Sequence, residues 1–145
     1  MPHRTISTVI GDRKLIAMPT ATTVSQIAEL MRLHHISAVL VAEGPRQRLQ
    51  GICTERDIVL REVAMGLDPE RVRVDEIMTA NPRTISPDKP FGHALHLMYE
   101  GGFRHLPVVE DDCPVGIVCA KDTLELYART FQDEVVQREE IMAIL

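Results

Sequence analysis

Two stretches of this chain combine residue types that could hold a small molecule. The first is Gly51-Ile52-Cys53-Thr54-Glu55-Arg56-Asp57. A hydroxyl three residues ahead of a carboxylate, where a β-type run gives way to a helix, reads as a capping box. Thr54 would accept a backbone N–H of the first turn, and Asp57 would face the positive end of the helix dipole. The same helix N-terminus favours an anion, and Gly51 lets the backbone come close to a ligand. A second copy, Gly116-Ile117-Val118-Cys119-Ala120-Lys121-Asp122, keeps the glycine and the aspartate but puts Cys119 where Thr54 stands. A thiol is a weak hydrogen-bond donor and a poor cap. The other stretch is Arg104-His105, which heads the apolar run Leu106-Pro107-Val108-Val109. The forked donors of arginine suit a phosphate; a solvated arginine beside a satisfied surface histidine is the plainer reading. Lys121 and Arg56 each precede one of the two aspartates, as solvated charges or as phosphate contacts.

Catalytic signatures are missing. There is no G-x-S-x-G, P-loop or H-E-x-x-H. His93 and His96 share one helix face without an evident third ligand, and no Cys/His cluster has zinc spacing. His34-His35 ends a helix, where imidazolium suits the negative dipole end. Without an activated nucleophile or a metal site, the expectation is a non-enzyme. A net charge of −5 and 3% aromatic residues argue against a nucleic-acid surface, which needs cations and stacking platforms. The three cysteines, Cys53, Cys113 and Cys119, are odd in number and form no C-x-x-C, which suggests a reducing compartment. The longest apolar stretch, around residues 38–42, is too short to span a bilayer, and residues 1–10 lack a signal-peptide core. These features predict a soluble, cytoplasmic protein without a membrane partner.

The elements that must position these residues occur twice. Val24, Ile27, Ala28 and Met31 follow i, i+3, i+4, i+7, the buried stripe of an amphipathic helix. Phe91, Ala94, Leu95 and Met98 repeat that spacing 67 residues later, each stripe with a proline upstream, Pro19 and Pro87. A β-type run follows each: Ala38-Val39-Leu40-Val41, then His105 to Val109, still offset by 67. A polar turn comes next, two residues shorter in the second copy, and then the two Gly…Asp stretches. Each half reads strand, helix, strand, strand, helix. The expected boundaries are 5–65 for the first repeat, 66–74 for a linker, 75–129 for the second repeat and 130–145 for a helical tail. A unit of about 60 residues buries too little surface to be comfortable alone, so the copies should pack sheet to sheet about a pseudo-twofold axis. The fold class is α/β.

The order and duplication of these segments resemble the cystathionine-β-synthase (CBS) domain family. Asp75-Glu76-Ile77-Met78-Thr79 is similar to the family's entry segment, Pro87-Asp88 to the turn before its first helix, and Phe103 to Val109 to its central strand. Gly51 to Asp57 resembles its ribose-binding motif. The chain thus looks like a tandem CBS pair, or Bateman module, of the stand-alone bacterial type. The resemblance implies an adenosine-nucleotide ligand: AMP, ADP, ATP or NAD(H). It gives ribose to Thr54 and Asp57, with Asp122 as the counterpart in the second repeat, and phosphate to Arg104, His105 and Lys121. Adenine would fall to Ala38, Ile52 and the backbone at Pro82, Arg83 and Thr84. Ile52 and Ala38 also read as plain core residues. Family members often combine the aspartate of one repeat with the basic strand of the other, so Asp57 with Arg104 and His105 is the expected complete site. The reciprocal site would have Asp122 but only Ser37 and Ala38. Arg104 and His105 favour a phosphorylated ligand over S-adenosylmethionine. The alternative is a structural or interaction module with a vestigial site.

The tail carries Leu124, Tyr127, Phe131, Val135, Met142 and Leu145 at helical spacings, interrupted by Arg138. This stripe would pack on its own chain or bury itself in a C2 homodimer. No effector domain is evident, so the regulated partner should be another protein.

Overall fold

The computed structural model describes residues 3–144; Leu145, assigned to the tail stripe, lies outside them. The first repeat begins with a short helix α1 (Ile6–Ile10), capped by the Thr5 hydroxyl, which accepts the Thr8 N–H at 3.3 Å. Strand β1 (Ala17–Met18) follows, then helix α2 (Val24–His34) and the hairpin β2 (Ala38–Glu43) and β3 (Arg48–Thr54). A single α-turn, α3 (Glu55–Asp57), runs straight into a π-helical stretch at Ile58–Val63. The second repeat supplies α4 (Val74–Ile77), β4 (Thr79–Ala80), α5 (Phe91–Gly101), the hairpin β5 (His105–Glu110) and β6 (Cys113–Cys119), and α6 (Asp122–Ile144).

Local chemistry explains the two matched helices. Thr23 and Gln26 form a reciprocal capping box at the start of α2. His35 then takes the chain out of the helix through a left-handed cap at φ 52. In α5 the same cap is Gly102, at φ 69, where glycine meets no steric penalty. Val24, Ile27 and Met31 are buried as their spacing requires, but Ala28 is exposed, so the α2 stripe is narrower than predicted. In α5, Phe91, Ala94 and Met98 are buried and Leu95 is partly so.

The sheets are unequal. One runs β1-β2-β3-β4 and the other contains only β5 and β6. Both hairpins carry a bulge at matching places, Val41/Ala42 and Val108/Val109. The first strand expected in the second repeat shrinks to a single parallel bridge, Ile85 to Val108. β4 instead pairs antiparallel with β3 of the first repeat, Gly51 opposite Ala80 and Ile52 opposite Thr79.

The entry segments are exchanged between the repeats. Ile6 and Ile10 of α1 are buried with Phe91, Leu106 and Val118 in the second repeat's core. Val74 and Ile77 of α4 are buried with Val24, Ile27 and Val39 in the first repeat's core. Matched backbone bonds fasten both: Phe91 donates to the Arg4 carbonyl at 2.6 Å, and Val24 donates to the Val72 carbonyl at 2.9 Å. Ser25 N–H also donates to the Pro69 carbonyl, so the segment read as a linker is tied to the start of α2. A third cluster, Ala38, Leu40 and Ile52 with Ile117 against it, joins the two repeats at their centre.

Candidate functional site

The two aspartates occupy equivalent places and are used alike. The Asp57 carboxylate accepts the Thr54 N–H at 2.9 Å and the Thr54 hydroxyl at 3.1 Å, while Asp57 N–H donates to that hydroxyl at 3.2 Å. The Asp122 carboxylate accepts the Cys119 N–H at 2.8 Å; with no hydroxyl at 119, only this half of the capping box is present, and it closes the turn from β6 into α6. Both aspartates are buried, Asp57 at 8% exposure and Asp122 at 3%. Thr54 and Asp57 therefore form the capping box that their spacing predicts, and Cys119 leaves the second copy with only its carboxylate half.

The surroundings differ. At the first aspartate, β4 lies directly on β3. A Cβ on Gly51 would meet Met78 Sδ at 2.5 Å and the Thr79 carbonyl at 2.8 Å, so the space expected for a ligand beside Gly51 is filled by the chain itself. Arg61 ties that segment down by donating to the Ile77 and Met78 carbonyls, both at 3.1 Å, and lies 3.7 Å from Asp57. At the second aspartate, the corresponding segment after α1 makes no strand pairing with β6 among the described residues. A Cβ on Gly116 would meet only the Ile10 side chain, its Cδ1 at 2.9 Å.

A cavity of about 460 Å³ opens there. Asp122, Cys119, Lys121 and Glu125 line it together with Arg13, Lys14, Leu15 and Ile16. Ser37, Ala38 and His105 meet between them. The His105 Nε2 and Ser37 Oγ are 2.8 Å apart, a hydrogen bond that joins the two repeats at the cavity floor. Burial holds the His105 imidazole below its ordinary pKa, and the positive charge of Lys121 pushes the same way. Burial likewise raises the Cys119 thiol, and drives Cys53 up to about 12, so neither favours the reactive thiolate.

Of the residues singled out in the sequence, the structure thus gathers Ala38, His105, Lys121 and Asp122 around one cavity. The sequence joined His105 to Asp57; in the structure it lines the cavity of Asp122. Arg104 is exposed, and its carbonyl accepts the Ala120 N–H at 2.9 Å. Ile52 is buried in the central cluster, opposite Leu40 and Thr79; its counterpart Ile117 lines the cavity. Arg83 and Thr84 are exposed and Pro82 is half-buried; Leu15 and Ile16, the 67-residue counterparts of Pro82 and Arg83, line the cavity instead. Thr54 remains at the first aspartate.

The segment Arg13 to Ile16 and Glu125 escaped the sequence reading, and Arg13 is the member that touches the aspartate. The Arg13 guanidinium lies 2.8 Å from the second Asp122 carboxylate oxygen and 3.6 Å from Glu125. Its hydrogen bond to Asp122 raises its own pKa further. The only hint in the sequence was the cation pair Arg13-Lys14 just ahead of β1.

Among the described residues, no His/Cys/Asp/Glu cluster has a metal-binding arrangement, and no helix is long and apolar enough to cross a membrane.

Comparison with known proteins fits this geometry. The CBS domain model matches residues 7–63 and again 74–129. A CBS domain-containing protein of Arabidopsis thaliana is 36% identical over 108 residues, covering 74% of this chain but 19% of its own. The chain therefore spans about a fifth of the length of that relative. A CBS domain pair solved with 5′-methylthioadenosine and S-adenosyl-L-methionine superposes with a TM-score of 0.78 at 25% identity, over 89% of this chain and 99% of that one. A hexameric CBS-CP12 protein from bloom-forming cyanobacteria superposes at 0.76 with 26% identity, over 83% and 69% of the two chains. With its duplicated motif, exchanged entry segments and central cavity, this chain belongs to the CBS domain family as a tandem pair.

Proposed function

We propose that this CBS pair is a regulatory module that binds an adenosine nucleotide in the cavity between its repeats and passes the bound state to a partner protein. The observation that carries the reading is the cavity of about 460 Å³ with a buried aspartate at its wall. That volume lies within the range of small-molecule sites. Asp122 offers a carboxylate to the ribose hydroxyls. Leu15, Ile16, Ala38 and Ile117 supply the apolar walls that a purine face fits. Lys14, Lys121 and Arg13 bring cations to the same space, which favours a phosphorylated nucleoside over a neutral one. The solved pair that holds 5′-methylthioadenosine and S-adenosyl-L-methionine supports an adenosine group. The working site is thus Asp122 with the strand heads at Ser37, Ala38 and His105. Signalling follows from differential affinity: a ligand that prefers one arrangement of the repeats shifts the population toward it.

The module would act as a homodimer in a reducing compartment, where its free thiols persist. Leu124, Tyr127 and Phe131 on α6 are 72%, 63% and 67% exposed, so these three do not pack on their own chain, while Val135 is half-buried. Val59, Leu60 and Val63 expose a matching patch on the first repeat's helix. A second reading, an interaction module without a ligand, draws on Asp122 already being paired with Arg13.

One experiment separates the two. Native mass spectrometry of the protein as purified, followed by melting curves with AMP, ATP and NAD, should show a bound adenosine compound or a ligand-dependent rise in Tm. No bound mass and no shift at millimolar concentrations would leave the interaction module standing.

A further inference from the structure

The aspartate that faces the cavity is already engaged on both oxygens. One accepts the Cys119 N–H and so closes the turn between β6 and α6; the other accepts the Arg13 guanidinium. The carboxylate is 3% exposed and Arg13 holds the oxygen that Cys119 does not, so a ribose diol competes with Arg13 for it. The two bonds are not equally easy to break. Releasing the Cys119 N–H would leave a buried backbone donor unpaired at the junction of β6 and the 23-residue helix α6. Arg13, by contrast, is 43% exposed and stands on the short connection between α1 and β1, next to Gly11 at φ 52. A side-chain rotation frees Asp122 without touching the backbone. The arginine that moves away remains at the wall of a cavity it shares with Lys14 and Lys121. The first aspartate is held differently: Ala80 stands at the position 67 residues after Arg13, and the arginine near Asp57 is Arg61, at the longer distance of 3.7 Å and bound to the Ile77 and Met78 carbonyls.

We propose that Arg13 is a selectivity latch, holding Asp122 against neutral nucleosides and transferring to the phosphate when a nucleotide enters. The inference rests on the reading that ribose binds at Asp122. A neutral nucleoside must break the Arg13–Asp122 pair and gives the guanidinium nothing in exchange. A nucleotide breaks the same pair and offers an anion to the freed fork, so the loss is offset. The latch thereby converts a local ion pair into discrimination between ligands with the same base and sugar. It also links ligand entry to the α1 connection, whose helix is buried in the second repeat's core while the strand that follows belongs to the first repeat's sheet.

The test is calorimetric titration of AMP and of adenosine into the wild type, Arg13→Gln, Arg13→Lys and Asp122→Asn. Arg13→Gln should tighten adenosine about three- to tenfold and weaken AMP by a similar factor, a range set by a part-exposed charged bond. The AMP-over-adenosine preference should then fall at least about tenfold. Arg13→Lys should lie between, because it keeps the charge but not the fork. Shifts of the same sign for both ligands, or adenosine unmoved, would overturn the latch while leaving the site intact. If instead neither ligand binds the wild type, the ribose reading and the latch fall together. AMP binding that survives Asp122→Asn unchanged has the same consequence.

Discussion

Replacing each aspartate in turn tests which repeat holds the ligand. Asp122→Ala removes the Cys119 N–H acceptor at 2.8 Å and leaves Arg13 without its partner. Loss of that buried hydrogen bond costs about 1 kcal/mol. Arg13 is 43% exposed and can rehydrate, so losing the ion pair should add no more than about 1 kcal/mol. Together this is about 1–2 kcal/mol, a drop in Tm of roughly 2–8 °C for a chain this size. Asp57→Ala removes the two bonds its carboxylate accepts from Thr54 and the longer contact to Arg61, while the residue-57 N–H keeps its bond to the Thr54 hydroxyl, and should cost about the same. In the absence of ligand the two variants should thus look alike. With AMP present they should separate. Ligand at about 100 times its dissociation constant stabilises the wild type by roughly 2.7 kcal/mol. Asp57→Ala should keep nearly all of that increment, since β4 covers its side of the fold, and Asp122→Ala should lose it. Melting curves of the three proteins with and without AMP read both quantities at once. The site argument is refuted if Asp57→Ala abolishes the AMP shift and Asp122→Ala preserves it, the outcome that the sequence alone favoured.

Three further outcomes are expected. Because folding holds the His105 pKa below its ordinary 6.5, the unfolded chain takes up that proton first; the penalty on the folded state grows as pH falls through the window below about 6.5 and vanishes above it. Ser37, Lys121, Arg104, Glu55 and Asp122 surround the ring, so the difference in Tm between wild type and His105→Gln, measured from pH 7 to 5, isolates its share: the wild type should lose more. Gly51→Ala should destabilise by about 1–3 kcal/mol because its Cβ meets backbone at Thr79, and Gly116→Ala by less because Ile10 can turn its terminal carbon away; equal midpoints in urea would contradict this. Light scattering at micromolar concentration should give about twice the 16.3 kDa of one chain, and Phe131→Asp, which charges the exposed α6 stripe, should return it toward one; a wild-type monomer at high concentration would remove the dimer.

The sequence by itself determined the elements and their duplication. Helix spacing, caps and β-type runs depend on residues within a few positions of one another, so α2 and α5, the two hairpins, and the capping aspartates were all legible. The two-residue difference between the hairpin turns was equally local: four residues join β2 to β3 and two join β5 to β6. The Ala28 reading missed because periodicity locates the middle of an apolar face better than its edge. What only the tertiary structure decided was which of two nearly identical halves opens a cavity. That choice turned on where the short segments 78–80 and 11–14 lie, and their own residues carry no periodic signal. The first is drawn onto β3 by backbone pairing and closes over Gly51; the second stays off β6 and leaves space beside Asp122. The Arg13–Asp122 pair brings together opposite ends of the chain, and His105–Ser37 crosses from one repeat to the other. Contacts of that kind are set by how the entry segments exchange between the two cores, a packing solution that buries α1 and α4 where each has an apolar face to meet.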